Sequence, residues 1–221
     1  MNIKNRKIIL SFDLDNTLIN NSEGIVNSFN YALKKHGLPK LKSHIIETMI
    51  GIPLKEMFAK VTNQDYLALI ATFRDYYGKK GIYQANLLPG IMSKLKELKE
   101  LSLTLGVITS KKQEMAEKII EILNIQKFFD FILGETEDRK ELGKLDPSLK
   151  KIFDTKYAEY QTIIIGDHPK DVMLSNNLNC PFIGVLTGNH SANQLKDIKI
   201  GKALIINSVS DLNSNMIFSL I

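Results

Sequence analysis

The sequence predicts an α/β fold with a doubly wound parallel sheet, and three observations carry that expectation. Six short apolar runs recur along the chain: "IILSF" (8–12), "LTLGVIT" (103–109), "FILG" (131–134), "TIIIG" (162–166), "FIGVL" (182–186) and "ALIIN" (203–207). Near-continuous apolarity of this kind marks strands buried on both faces, as in a parallel sheet. Helical patterns lie between the runs, and such alternation winds a sheet with helices on both sides. The third observation is an exception. From about Asn20 to Pro89 the patterns are almost all helical, with no convincing strand. About seventy residues are too many for one crossover. The expected organisation is a Rossmann-like α/β core over 1–19 and 90–221, with an all-helical subdomain inserted at 20–89.

Taken in order, the first strand runs into Asp13, Asp15 and Thr17. Ser22 is the expected N-cap of a helix that ends near His36, with Gly37 as its stop. "SHIIETMIG", "PLKEMFAK" and "DYLALIATFRDYYG" follow, each bounded by Gly, Pro, Thr or Asn. In "IMSKLKELKEL" (91–101), Ile91, Leu95 and Leu98 share one face; in "MAEKIIEIL" (115–123), Met115, Ile119 and Ile122 do the same. Pro147 opens a further helical run before the strand at 162.

Composition narrows the functional classes. The chain of 221 residues is 44% hydrophobic and 24% charged, ordinary for one sizeable globular domain or a core with an insertion. Its formal charge of +5 is spread over segments such as "KLKELKELS", where acidic residues are interspersed. Without arginine-rich or aromatic–basic interleaving this is a solvated surface, so no nucleic-acid partner is expected. Small anionic partners are favoured slightly. No run of about 18 apolar residues predicts a membrane span, and the start "MNIKNRKIIL" has no secretory pattern. One cysteine, Cys180, excludes an internal disulfide and suits a reducing, cytoplasmic setting. It is expected to be a small buried hydrophobe. A monomer or small homo-oligomer is expected.

Ligands of doubly wound sheets bind beyond the carboxyl ends of the strands. Asp13, Asp15 and Thr17 follow the first strand; Thr109, Ser110 and Lys111 follow the second; Asp167 and Asp171 follow the strand at 162–166. Lys144 precedes that strand. Alone, Asp13 and Asp15 fit either an acidic turn or a cation seat. Several carboxylates converging on one volume cannot all ionise without a cation. Oxygen ligands with hydroxyls and a lysine suit Mg²⁺ and a phosphate group. No histidine–cysteine cluster offers a zinc site.

Together "DLDNT" (13–17), "VITS" (107–110), "GKLDP" (143–147) and "GDHPKD" (166–171) resemble the four ordered motifs of the haloacid dehalogenase-like hydrolase superfamily. The likeness spans essentially the whole chain, and is nearest to the phosphoglycolate phosphatase-like branch with a C1-type cap at 20–89. It implies a Mg²⁺-dependent phosphatase acting on a small phosphorylated metabolite. By resemblance, Asp13 is the nucleophile that forms an aspartyl-phosphate, and Asp15 the general acid and then base. Thr109 and the Ser110 N–H hold phosphate, and Lys144 neutralises charge. Asp13, the Asp15 carbonyl and Asp167 hold the metal, with Asp171 orienting Lys144 or metal-bound water. Asp15 excludes dehalogenation. Leu145 stands where the third motif usually has proline, which leaves Lys140 as the alternative lysine. His168 replaces a usual Thr or Ser, either near metal-bound water or as a cap; His36, His44 and His190 read as surface or packing residues. A sugar phosphomutase or inorganic pyrophosphatase remains the enzymatic alternative, and a non-catalytic phosphate-binding module the third. Leu54 and Gly166 stand where the mutases carry Arg and Glu. Lys55, Arg74 and Lys79 are the cap cations available for a second anionic group.

Overall fold

The computed structural model describes residues 7–139 and 143–221. Two units of dense internal packing separate along the chain: residues up to Leu18 with Leu87–Ile221, and Ile19–Asn86.

The larger unit carries six parallel strands. They are β1 (Ile8–Phe12), β2 (Thr104–Lys112), β3 (Phe131–Glu135), β4 (Gln161–Gly166), β5 (Phe182–Val185) and β6 (Ala203–Ile206). Their order is β3-β2-β1-β4-β5-β6, with Leu10 of β1 in register with Leu105 and Ile163. All five residues of β1 are buried, as a central strand covered on both faces requires. One face packs Ile9, Ile108 and Ile164 with Leu149, Phe153, Val172 and Phe182. Side chains alternate along a strand, so Leu10, Phe12, Ile163 and Ile165, also buried, cover the opposite face. The direction of winding reverses about β1, whose neighbours are β2 and β4. A crevice at their carboxyl ends follows.

Four helices of this unit bury stripes set by sequence. In α5 (Ile91–Glu100), Ile91, Leu95 and Leu98 are fully buried, each contributing about 1.5–3 kcal/mol of burial free energy. In α6 (Gln113–Ile122) the buried stripe is Ala116, Ile119 and Ile120, not Met115, Ile119 and Ile122. The small Ala116 faces inward, and the stripe is turned so that Met115 and Ile122 are only partly covered. α7 (Pro147–Lys156) starts at its proline behind an Asp146 cap, and α8 (Pro169–Asn177) starts likewise behind His168. Short helices α9 (Ala192–Lys196) and α10 (Ser214–Leu220) complete the unit.

The smaller unit holds α1 (Ser22–Lys35), α2 (Ser43–Glu47), α3 (Leu54–Ala59) and α4 (Tyr66–Lys79). Phe29 stacks on Phe58 at 4.3 Å between ring centres, and Phe58 meets Phe73 edge-on at 6.5 Å. The N-cap of α1 is Asn21 rather than Ser22. Ser22 is already helical, and its N–H donates to Asn20 Oδ1 at 3.0 Å. Asn21 is turned inward instead, with Nδ2 donating to the Tyr77 hydroxyl at 2.7 Å. Gly37, at φ +72°, ends the helix as expected. Two-residue strands Ile19–Asn20 and Asn86–Leu87 pair with each other; they are too short for alternation to reveal. Among the described residues no helix is long and apolar enough to cross a membrane.

Candidate active site

The site grows from the end of β1. Asp13 N still donates to Ile165 O at 2.8 Å, so the ladder with β4 fixes this backbone after the strand proper has ended. Asn16 then takes the left-handed conformation, φ +59°, which asparagine tolerates better than most residues. The turn brings Thr17 back, and its hydroxyl donates to Asp167 Oδ1 at 3.1 Å. The Thr187 hydroxyl donates to the Asn16 carbonyl. The turn after Asp13 is thus tied to Asp167 itself and to the segment that follows β5.

Lys144 lies at the centre, 4% exposed. Its Nζ is 2.5 Å from Asp13 Oδ1 and 2.6 Å from Asp171 Oδ1. The other Asp171 oxygen accepts the His168 N–H at 3.1 Å. Asp171 therefore orients Lys144 while closing the cap of α8 (Pro169–Asn177), as a residue acting through that lysine would. Lys140 lies outside the described residues.

Asp13, Asp167 and Asp171 each offer a ligand oxygen within 4.8 Å of the others, all buried. One ammonium against three carboxylates leaves the cluster short of positive charge. Burial pushes the Asp13 carboxyl up to about 7 despite Lys144, and Asp171 and Asp15 add repulsion. Burial and the charges of Asp13 and Asp171 likewise hold Asp167 well above the ordinary carboxylate value. Burial opposes the Lys144 ammonium too, yet the two carboxylates outweigh it and raise its pKa. Such an all-oxygen, cation-deficient donor set fits a hard divalent ion. Asp13 and Asp167 are the carboxylates that could hold such an ion, because both oxygens of Asp171 are already engaged.

This charge balance predicts a linked pH and metal dependence. Asp13 moves from an ordinary 3.8 to about 7 on folding, so the folded, metal-free protein binds more protons than the unfolded chain across that window. Its stability is greatest at the acid end of the window and falls as pH rises through 7. A bound cation replaces those protons. Excess Mg²⁺ is therefore expected to raise the melting temperature by several degrees at pH 8 and by little at pH 5. Thermal unfolding with and without EDTA at the two pH values measures this, and equal shifts would contradict the assignment.

Thr109 is buried within β2 and Ser110 is half-buried beside it. The Thr109 Oγ1 accepts the Lys111 N–H at 3.2 Å. Asp15 faces a different cation, with Oδ2 3.1 Å from Lys111 Nζ. His168 is the N-cap of α8, its Nδ1 accepting the Lys170 N–H at 3.1 Å. Burial first, then His190 and the nearby lysines, push its pKa down to about 3, which suits a neutral acceptor. His190 is a packing residue, as the sequence allows: its ring lies 4.6 Å from that of His168, edge-on. Cys180 is buried, and burial raises its thiol to about 12. In the other unit, Lys79 pairs with Asp75 at 2.6 Å and Lys55 lies over the Tyr66 ring at 5.1 Å.

Gly188 gave no signal in sequence. A Cβ there would stand 1.8 Å from Asp167 Oδ2, so only glycine leaves Asp167 where it is. Gly188→Ala is expected to weaken divalent-cation binding at the cluster about tenfold or more, the usual scale for disturbing a metal site's support. Melting temperature titrated against Mg²⁺ reads this, and an unchanged midpoint would sink it.

A parallel sheet wound about β1, with acidic residues at adjacent strand ends and a buried lysine between them, makes a charged ligand site of the kind doubly wound α/β folds carry at their carboxyl edge. Residues 9–185 match the haloacid dehalogenase-like hydrolase family, and the chain belongs to it. It is similar to a solved structure of a predicted phosphatase from Clostridium acetobutylicum, 30% identical, with a TM-score of 0.83 over 96% of this chain and 99% of that one. Among curated proteins it is 27% identical to the phosphoglycolate phosphatase of Aquifex aeolicus, over 74% of this chain and 78% of the relative. It is 26% identical to the pyrophosphatase PpaX of Halalkalibacterium halodurans, over 75% and 77%. The chain is thus a hydrolase with phosphatase relatives.

Proposed function

We propose that this chain is a Mg²⁺-dependent phosphatase of small phosphorylated metabolites, working through an aspartyl-phosphate on Asp13. The observation that carries the reading is the division of labour between two carboxylates two residues apart. Asp13 is buried against Lys144 and Asp167, whereas Asp15 is paired with Lys111. A carboxylate needs no deprotonation to act as a nucleophile at neutral pH. Lys144 screens Asp13 from the incoming phosphate, so two anions can approach. Asp15 gives its proton to the leaving alcohol, then takes one from the water that cleaves the aspartyl-phosphate. Thr109 and the Ser110 N–H are assigned to phosphate oxygens. A divalent ion held by Asp13, Asp167 and the Asp15 carbonyl would neutralise phosphate charge as it redistributes.

Plain hydrolysis is favoured over phosphomutase chemistry by the space at Gly166. By the resemblance stated above, the related mutases carry Glu at that position, and Arg where this chain has Leu54. Here a Cβ would stand 2.3 Å from Asp171 Oδ2, so a larger residue would displace the carboxylate that holds Lys144. Phosphoglycolate is the first substrate to test, and pyrophosphate the second, since relatives are named for each. Phosphate release from a panel of phosphomonoesters and pyrophosphate, in Mg²⁺ and in EDTA, tests the proposal. Turnover that is Mg²⁺-dependent and highest on one small ester is expected. Phosphate binding without turnover on any member would leave the non-catalytic reading instead.

A further inference from the structure

Lys111 belongs to a built feature and not to a passing surface pair. Its Nζ is 3.1 Å from Asp15 Oδ2, with the two side chains only 10% and 19% exposed. Exposed ion pairs are worth little, but this one is held by an irregularity in the sheet. Ile108 of β2 is in register with Leu133 of β3, and the next matched pair is Lys112 with Glu135. Thus four steps along β2 answer two along β3, and Thr109, Ser110 and Lys111 lie inside the slip. Bulges of this kind re-aim side chains next to sites.

The slip is stabilised from both sides. Lys111 N–H donates to Thr109 Oγ1 at 3.2 Å, folding the segment back on itself. Across the gap, the side chain of Gln113 supplies missing rungs to β3. Its Oε1 accepts the Gly134 N–H at 2.6 Å and its Nε2 donates to the Ile132 carbonyl at 3.0 Å. A side chain thereby replaces backbone partners that the displaced residues no longer provide, leaving no reason for the bulge to relax into regular pairing.

We propose that Lys111 is a positioning residue for Asp15, an inference that rests on the phosphatase reading above. The ammonium engages Oδ2 and fixes the carboxyl group, and Oδ1 is assigned to proton transfer. As Asp13 forms its bond to phosphorus and the phosphorus–oxygen bond of the ester breaks, the proton on Asp15 passes to the departing oxygen. Asp15 is left as a carboxylate beside Lys111. The need for this alignment grows with the basicity of the leaving group. An alkyl phosphate depends on the proton; p-nitrophenyl phosphate, whose leaving group is already a stable anion, hardly does.

The test compares wild type, Lys111→Met and Lys111→Arg on a simple alkyl phosphate and on p-nitrophenyl phosphate with excess Mg²⁺. The quantity read is kcat/KM, which covers steps up to departure of the leaving group. Lys111→Met is expected to lose about 10²-fold on the alkyl ester, the scale of misplaced general-acid catalysis, and no more than about threefold on the aryl ester. Lys111→Arg, which keeps the charge, recovers most of the loss. Inhibition by inorganic phosphate stays near the wild-type value. Equal losses on both esters, or weaker phosphate inhibition, would make Lys111 a phosphate ligand and overturn the proposal. Wild-type rates in Lys111→Met on both esters would overturn it while leaving the phosphatase reading intact. A wild type that turns over neither ester would defeat both.

Discussion

Asp13→Asn is expected to lower kcat by about 10⁴-fold or more, the scale seen when a nucleophile is removed, without unfolding the protein. The two halves of this expectation have separate causes. An amide cannot form the acyl-phosphate, so turnover ends with the carboxylate. It does keep the shape of the side chain and an oxygen that accepts from Lys144, now 2.5 Å from Asp13 Oδ1. It also removes one of three carboxylates crowded within 4.8 Å. In EDTA at pH 8 the variant should melt at the wild-type temperature or a few degrees above it. Added Mg²⁺ should stabilise it less than wild type, since one ligand oxygen has lost its charge. Activity assays and thermal unfolding on the same preparations check both halves. A variant with full activity would refute the nucleophile assignment, and one that melts far lower would refute the account of crowding.

The constellation was legible because its residues sit at strand ends, which apolar runs mark. All six sheet strands lie where those runs predict, and a doubly wound sheet brings their carboxyl ends together. Lys144 was harder to read, because Leu145 replaces a residue the family usually has there. Its burial between Asp13 and Asp171 depends on three separate loops, a property no local pattern carries. Where the reading went astray, the deciding physics was tertiary. The buried stripe of α6 takes in Ala116, which is fully buried, whereas hydrophobicity alone selects Met115. Gly188 matters through the space it leaves open, and Lys111 through a two-residue slip in register. Neither has a periodic signature, since periodicity reports which face a residue occupies and not what backbone irregularity aims it at.

Lys144→Met is the substitution expected to damage both chemistry and fold. Methionine is of similar length and brings no charge, so Asp13 and Asp171 lose their shared cation while remaining buried, 8% and 1% exposed. Breaking a buried pair on one side costs about 3–5 kcal/mol, a large share of the roughly 5–15 kcal/mol that keeps a domain folded. The loss should depend on pH, with a definite sign. Without the ammonium the Asp13 carboxyl, already pushed up by burial, is pushed up further, so it is neutral at low pH and carries the full penalty only when ionised. Destabilisation is therefore greatest near pH 8 and shrinks toward pH 5. A double variant, Asp13→Asn with Lys144→Met, removes one stranded carboxylate and should melt above Lys144→Met alone at pH 8. Denaturant unfolding of the wild type, the two single variants and the double variant measures this coupling directly. A Lys144→Met protein as stable as wild type at pH 8 would mean that Lys144 is not holding those carboxylates together. A double variant no better than Lys144→Met would place the cost in lost packing instead of stranded charge.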